Sequence, residues 1–174
     1  MQIRPATPDD IPAIAALYGE AVRTGTASFE LEPPTPQDML GRFCAIQAGG
    51  YPYLVARDGE DGALLGYAYA SAFRPRIAYR FTVENSVYVD PAAQGRGVGR
   101  ALMEDLIARC TAAGFRQMVA VIGGSDNLGS IALHRACGFY DAGVLKATGF
   151  KFGRWLDTVF MQRELGEGER TPGA

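Results

Sequence analysis

A short strand followed by a glycine-rich loop and then a helix is the feature that most constrains this chain. Residues 87–100 read VYVDPAAQGRGVGR, with Gly95, Gly97 and Gly99 at alternate positions. Glycines let a backbone approach a bulky anion and point its N–H groups toward it. The helix that follows, predicted over residues 98–110, adds the positive end of its dipole. The segment therefore predicts a site for a phosphate-bearing cofactor.

The spacing of these glycines excludes two common nucleotide-binding loops. A Rossmann turn has the pattern G-x-G-x-x-G and an acidic residue about twenty positions later. Here Leu102 stands three positions after Gly99, and the next predicted strand, residues 117–122, ends without an acid. A P-loop requires G-K-[ST], which the sequence lacks. The remaining pattern is Gln94-x-x-Gly97-x-Gly99, and a glycine-rich turn without a ligand stays open as its alternative.

Size and charge limit the classes of protein to consider. With 174 residues and a formal net charge of −2, the chain can form one full core and offers no broad basic field for nucleic acid. No apolar run reaches the length of a membrane span, and residues 1–10 lack the apolar segment of a signal peptide. Cys44, Cys110 and Cys137 form no C-x-x-C pair, and there is one histidine. We therefore expect a reduced cytoplasmic protein with core cysteines, no metal site, and no nucleic-acid or membrane partner.

Hydrophobic periodicity and turn residues predict the element order β-α-α-β-β-β-α-β-α-β-β. The two N-terminal helices begin after Thr7 and Thr35, and the loop between them reads GTASFELEPP. A strand is expected over residues 80–89, and the last two strands over 139–145 and 157–163. This order predicts an α/β (α+β) fold, a mixed central sheet with helices on both faces. We expect one domain over residues 1–165 and a flexible tail over 166–174.

The surviving loop pattern resembles the pyrophosphate loop of the Gcn5-related N-acetyltransferases (GNAT), which binds acetyl-CoA. Asn127-x-x-Ser130-x-x-Leu133-His134-x-x-Cys137-Gly138-Phe139 resembles the second motif of that family, in which a tyrosine commonly stands in place of His134. Four segments, residues 82–89, 120–123, 133–134 and 150–157, together resemble one branch, the phosphinothricin and methionine sulfoximine N-acetyltransferases. The resemblance implies a GNAT-like, mainly antiparallel sheet, acetyl-CoA as co-substrate, no metal, and a homodimer.

The same resemblance implies which residues hold the cofactor. The strand backbone of residues 87–89 is expected to pair with the pantetheine arm and polarise the thioester carbonyl, as an oxyanion hole does. The loop is expected to bind the pyrophosphate, and Asn127 to cap a helix beside the CoA arm. The cofactor-binding residues are then Val87, Tyr88, Val89, Gln94, Gly95, Arg96, Gly97, Val98, Gly99, Arg100, Asn127, Ser130 and Arg135.

Acetyl transfer to an amine requires a base, because an α-ammonium group with a pKa near about 8 is mostly protonated at neutral pH. Glu84 lies three residues before Val87, on the strand that leads into the loop. His134 is the one side chain here whose unperturbed pKa lies near 7. The resemblance implies that Glu84 and His134 are catalytic bases. The alternatives are a packed or surface histidine and a glutamate that points to solvent, although Thr82 and Ser86 make the same strand face polar.

The resemblance implies that the acceptor binds in the loop before residue 80 and around residues 84–86. An arginine there could hold the α-carboxylate of an amino-acid-like acceptor through two parallel hydrogen bonds, and a solvated basic loop is the alternative. Phe29, in the loop after the first helix, is expected to wall the pocket. The predicted substrate-binding residues are Phe29, Arg74, Pro75, Arg76, Tyr79, Glu84, Asn85 and Ser86.

The sequence thus predicts an acetyl-CoA-dependent N-acetyltransferase for the α-amine of a small amino-acid-like molecule, of phosphinothricin or methionine sulfoximine type. Two kinds of alternative remain. A related enzyme could acetylate an aminoglycoside, a polyamine or a protein N-terminus. A non-catalytic acyl-CoA-binding module would keep the glycine loop without requiring Glu84 or His134.

Overall fold

The computed structural model describes residues 1–60 and 62–173 and confirms the predicted order of elements. Within those residues the chain forms seven strands and four α-helices, joined by short turns. In chain order they are β1 (Gln2–Pro5), α1 (Ile11–Thr24), α2 (Pro36–Ala48), β2 (Tyr53–Arg57), β3 (Leu64–Ala72), β4 (Thr82–Val89), α3 (Val98–Ala112), β5 (Gln117–Gly123), α4 (Leu128–Ala136), β6 (Tyr140–Lys151) and β7 (Arg154–Glu164).

The strands form one sheet in the order β1-β2-β3-β4-β5-β7-β6. Every neighbouring pair is antiparallel except β4 and β5. Helices α1 and α2 pack on one face through buried residues such as Ile14, Val22 and Phe43. Helix α3 packs on the other face through residues such as Leu102 and Leu106. The fold is therefore a mixed, mainly antiparallel sheet between helices, as predicted.

The parallel strands β4 and β5 separate before β4 ends. Residues 82–85 of β4 pair with residues 117–120 of β5, and the pairing stops there. On its other edge β4 stays bonded to β3, since Asp90 N donates to Leu65 O and Thr82 O accepts from Phe73 N. Backbone groups alternate between the two edges of a strand. The N–H and C=O of Val87 and Val89 therefore face the gap between β4 and β5.

The terminal hairpin is much longer than the sequence predicts. Strands β6 and β7 extend over Tyr140–Lys151 and Arg154–Glu164, where we expected residues 139–145 and 157–163. Irregular pairing occurs between Leu145 and Gly149, where Ala147 has a φ of 54°. Such a bulge interrupts the period-two pattern on which strand prediction depends, so the second half of β6 was not recognised.

Two smaller expectations concern the cysteines and the tail. Cys110 and Cys137 are buried, but Cys44 is exposed on α2, so its assignment to the core was wrong. Residues 166–169 form turns, in which Gly168 N donates to Leu165 O, and Gly173 lies against the ring of Phe81. No helix in the described part of the chain has the length and apolar character needed to cross a membrane.

Candidate active site

A cleft of about 590 Å³ lies between the C-terminal half of α1, the end of β4 and the first turns of α3 and α4. The wall that α1 and its C-cap provide includes Leu17, Thr24 and Gly25, none of which was predicted to bind the cofactor. All the predicted cofactor-binding residues line the cleft except Arg96 and Arg135. Arg135 instead pairs with Asp141 on the surface, at 3.0 Å, so the structure does not bring it to the cofactor cleft.

The glycine loop has a backbone conformation that requires glycine at two positions. Gly95 and Gly97 have φ values of 74° and 80°, a left-handed region in which other L-residues are strained. Gly99 is favoured for a different reason, because a Cβ there would lie only 3.2 Å from the Leu133 side chain and 3.3 Å from the Val89 side chain. The absence of a Cβ at this position lets α3 lie close to β4 and α4, and these elements form the floor of the cleft.

The N–H groups of this loop are available to a ligand. Within residues 1–60 and 62–173, no hydrogen bond to a protein acceptor is formed by the N–H of Gly95, Arg96 or Gly97. Helix α3 begins directly after them, at Val98, with its positive dipole end toward the cleft. Unpaired backbone donors at a helix N-terminus are the usual protein site for phosphate. The geometry therefore fits the pyrophosphate of a CoA-type cofactor.

Helix α4 presents a second N-terminus to the same cleft. The Asn127 side chain accepts from Ser130 N at 3.3 Å and so caps the helix, as predicted. Asn127 and Ser130 line both the cofactor cleft and a smaller cavity in the gap between β4 and β5. The gap between β4 and β5 is thus bordered by the backbone of β4 and also by the start of α4.

His134 lies at the bottom of that gap, with its side chain 2% exposed. Its Nδ1 lies 2.8 Å from Ser130 O, which can only accept, so Nδ1 carries the proton. Its Nε2, 2.8 Å from Asn85 Nδ2, is then the acceptor of that amide. Burial lowers the pKa of His134. The imidazole is therefore neutral, and both of its nitrogens already have partners.

Glu84 lies on the opposite face of β4 from His134. Side chains alternate along a strand, so Glu84, Ser86 and Tyr88 face α1 and α2, whereas Asn85 faces α3 and α4. The Tyr88 ring packs against Tyr18 of α1, which confirms this orientation. Glu84 is half-buried, and its carboxylate makes no side-chain hydrogen bond in the described part of the chain. Burial raises its pKa, and the charge of Arg74 partly opposes that rise.

The predicted acceptor residues divide into those near Glu84 and those elsewhere. Phe29 packs against Gly149 of β6 and Gly123 at the end of β5, beside the gap. Arg74 is close enough for its charge to act on Glu84. Tyr79 lines a groove of about 520 Å³ together with Val119, whose backbone pairs with that of Glu84. Besides Glu84 itself, four of the predicted residues lie on the Glu84 face or beside it: Phe29, Arg74, Tyr79 and Ser86.

The position of Asn85 contradicts the prediction that this residue binds the acceptor. Its side chain is 5% exposed and contacts His134 and Met103 on the other face of the sheet, so it does not reach the Glu84 face. Pro75 and Arg76 are exposed on the loop between β3 and β4. Tyr69 was missed: it lies opposite Ser86 in the β3–β4 ladder, and the charge of Glu84 contributes to raising its pKa. Only the register across the loop of residues 73–81 reveals this proximity, and local sequence carries no signal for it.

Comparison with known proteins agrees with this geometry. Residues 15–139 match the family model described as "Acetyltransferase (GNAT) family". The chain belongs to the GNAT family. It is 56% identical over 169 residues to phosphinothricin N-acetyltransferase of Alcaligenes faecalis, covering 97% of this chain and 85% of that relative. It is 45% identical over 166 residues to L-methionine sulfoximine/L-methionine sulfone acetyltransferase of Pseudomonas paraeruginosa, covering 94% of each chain.

A solved GNAT structure gives the same result for the fold. The crystal structure of a phosphinothricin acetyltransferase from Sinorhizobium meliloti, in complex with AcCoA, superposes with a TM-score of 0.95 at 55% identity. The match covers 99% of this chain and 92% of that one. The protein is therefore an N-acetyltransferase that uses acetyl-CoA as co-substrate. In the described residues, no group of three or more His, Cys, Asp or Glu side chains is arranged to hold a metal ion.

Proposed function

We propose that this GNAT enzyme acetylates the α-amine of a small amino-acid-like molecule, of phosphinothricin or methionine sulfoximine type. The observation that carries the proposal is the position of Glu84, a half-buried carboxylate free of hydrogen bonds on the strand that borders the gap. A module that only bound acyl-CoA would need the cleft but not this carboxylate. The relatives named for phosphinothricin and methionine sulfoximine support the acceptor class.

In this proposal the backbone groups bind the cofactor, and Glu84 acts on the acceptor. When bound, acetyl-CoA supplies an activated thioester carbonyl. The loop N–H groups from Gly95 onward hold the pyrophosphate, and the backbone of Val87 and Val89 offers donors toward the gap. Fixed donors of this kind stabilise negative charge without reorganising. Glu84 takes a proton from the acceptor ammonium, directly or through a water, and its raised pKa makes it a stronger base than an exposed glutamate.

We propose a different role for His134 from the one the resemblance implied. To act as a base, the ring would have to give up its hydrogen bond from Asn85 while remaining buried. We propose instead that His134 and Asn85 fix the end of the paired segment of β4 against α4. The width of the gap, and so the position of Val87, then depends on this buried pair.

The acceptor residues outlined above support a small substrate. Arg74 lies near Glu84 and can hold an α-carboxylate while Glu84 faces the α-amine. Phe29 closes the side of the site next to β6. An aminoglycoside, a polyamine or a protein N-terminus would not need an arginine beside the base, and the relatives reported above do not favour those acceptors.

We also propose that the enzyme forms a homodimer in the cytoplasm. Strand β6 is a sheet edge, and Val144, Leu145 and Phe150 on it are 46%, 53% and 56% exposed. Trp155, on the adjoining strand, is 67% exposed. Edge strands with exposed apolar side chains commonly associate, and a second copy is the occupant that the resemblance implied. Sedimentation of the protein with and without Leu145→Lys tests this.

The direct test of the proposed function is thiol release from acetyl-CoA with a panel of amines. We expect turnover with phosphinothricin and methionine sulfoximine. We expect Glu84→Gln to lower kcat/KM roughly 10²–10⁴-fold, as loss of a general base does, with unchanged acetyl-CoA binding by calorimetry. Glu169→Gln, an exposed carboxylate in the C-terminal residues, is the matched control. Tight acetyl-CoA binding without turnover on any amine would exclude the enzyme, and turnover on polyamines or aminoglycosides alone would overturn the acceptor class.

A further inference from the structure

The tip of the β6–β7 hairpin holds a lysine in an unusual environment. Lys151 is 3% exposed, although lysine is among the residues least often buried. A two-residue turn, Phe152 and Gly153 with φ values of 52° and 72°, places Lys151 opposite Arg154. Positive φ at both positions is the geometry of a type I′ turn, which fixes the register of the strands. The position of Lys151 is therefore set by tight local structure.

Lys151 contacts the loop between α1 and α2, residues 25–34, which we call the acceptor loop. Its Nζ donates to Ser28 O at 2.8 Å. Among the described residues, this is the one hydrogen bond that joins the acceptor loop to the strands of the sheet. The negative charge of Glu30 in the same loop favours the charged ammonium, whereas burial lowers the pKa of Lys151.

The rest of the acceptor loop is held by the helices. Glu30 accepts from Arg42 of α2 at 2.6 and 3.1 Å, and from the Tyr18 hydroxyl of α1 at 2.7 Å. The Tyr18 hydroxyl also lies 2.7 Å from Ser28 Oγ. These contacts anchor one side of the loop to α1 and α2. On its other side, the Lys151 bond is the one hydrogen bond to the hairpin among the described residues, next to the packing of Phe29.

The residues on either side of Ser28 lie at the site. Ala27 lines both the cofactor cleft and the cavity in the gap. Phe29 packs on Gly149, two residues before Lys151 on the same strand. A displacement of the Ser28 carbonyl would therefore move Phe29 relative to the acceptor. Arg154, opposite Lys151, forms an ion pair at 2.9 Å with Asp126 in the loop before α4. The hairpin tip therefore contacts two loops that border the gap, the acceptor loop and the loop before α4.

We infer that Lys151 is a positioning residue for acetyl transfer: it holds the acceptor loop, and with it Phe29, against the hairpin in the geometry that binds the acceptor. This inference rests on the proposed function, because it assigns Phe29 to the acceptor side. Lys151 does not touch the reacting atoms. Its effect is therefore expected on acceptor binding and not on acetyl-CoA binding.

The test is Lys151→Met, which keeps the length and the apolar stem of the side chain and removes the ammonium. We expect a folded protein with unchanged acetyl-CoA affinity and an acceptor KM raised about tenfold, equivalent to about 1.4 kcal/mol. Lys151→Arg, which can still donate to Ser28 O, should recover most of the acceptor affinity. Lys146→Met is the matched control, because Lys146 lies on the same strand but its side chain is 77% exposed, and its one ion pair within the described residues is with Asp157.

A second readout separates this inference from the proposed function. Hydrogen exchange of residues 25–34 should become faster in Lys151→Met and stay unchanged in Lys146→Met, whether or not any acceptor is turned over. If wild-type protein acetylates nothing, the proposed function fails while the exchange measurement still tests the Lys151 contact. Unchanged acceptor KM and unchanged exchange would overturn the inference. So would equal losses of acceptor and acetyl-CoA affinity in both the Met and the Arg variants, which would show a general structural role.

Discussion

Replacing Gly97 by alanine tests whether the conformation of the glycine loop is what creates the anion site. Gly97 precedes the first residue of α3 and has a φ of 80°. A Cβ at this position would meet no protein atom within 4 Å. The substitution therefore introduces no steric overlap with the rest of the chain. Its effect should come from backbone strain alone when no ligand is bound.

The size of that strain follows from the conformation. An L-residue in the left-handed region costs roughly 1–2 kcal/mol relative to its preferred conformations. If the fold enforces the loop geometry, this energy lowers the free energy of unfolding. If the loop relaxes in the free protein, the same energy must be supplied when acetyl-CoA binds. A cost of about 1.4 kcal/mol raises the dissociation constant tenfold. The losses in stability and in binding should therefore sum to at least about 1 kcal/mol.

The assay combines urea unfolding with calorimetric titration of acetyl-CoA for the wild type and Gly97→Ala. Gly41→Ala is the control, because Gly41 lies within α2, its φ is not positive, and a Cβ there also meets nothing within 4 Å. We expect the control to bind acetyl-CoA normally and to gain up to about 1 kcal/mol in stability from helix propensity. Unchanged stability together with unchanged acetyl-CoA binding in Gly97→Ala would refute the reasoning.

Two further predictions concern buried polar groups. Asp10 is 1% exposed and accepts from Arg4 and Arg57 at 2.7–3.0 Å, so Asp10→Asn should lower the free energy of unfolding by about 3–5 kcal/mol at pH 7. These partners hold the pKa of Asp10 well below its ordinary 3.8. The ionised Asp10 therefore stabilises the fold above that pH, and this stabilisation is lost as the pH falls below it. In urea unfolding from pH 7 to pH 3, the free energy of unfolding should decline less in the variant than in the wild type. His134→Gln retains an acceptor for Asn85 and should keep kcat/KM within about tenfold with an unshifted pH profile, whereas a roughly 10²–10⁴-fold loss would restore His134 as a base.

Much of the fold could be predicted because its elements carry strong local signals. The Thr35 cap of α2 and the Asn127 cap of α4 both lie where the capping residues predicted them. The second half of β6 could not be predicted, because the irregular stretch near Ala147 has no regular hydrophobic period. Its return to the sheet depends on pairing with β7, a tertiary interaction that local propensity does not report.

The candidate site divides in the same way. The cofactor loop could be predicted, since Gly95 and Gly97 are required by a local backbone conformation. The resemblance assigns Asn85 to the acceptor together with Glu84 and Ser86, but adjacent residues on a strand face opposite sides of the sheet. Lys151 could be noticed as part of a motif, yet its contact with Ser28 joins positions 123 residues apart and exists only in the folded chain.

The arrangement of β4 explains why acceptor and cofactor can meet at one point. The strand presents Glu84 and Ser86 to one layer, and Asn85 to the other, where it contacts His134. Its backbone then loses β5 as a partner after residue 85, so the next groups that face β5, those of Val87 and Val89, have no backbone partner in the part of the chain that the structure describes. A shift of one residue in the β3–β4 register would exchange the two side-chain faces and turn the Glu84 carboxylate into the α3–α4 core. The register set by β3, together with the point at which β5 leaves, therefore determines that the proposed base and unpaired backbone donors border the same gap.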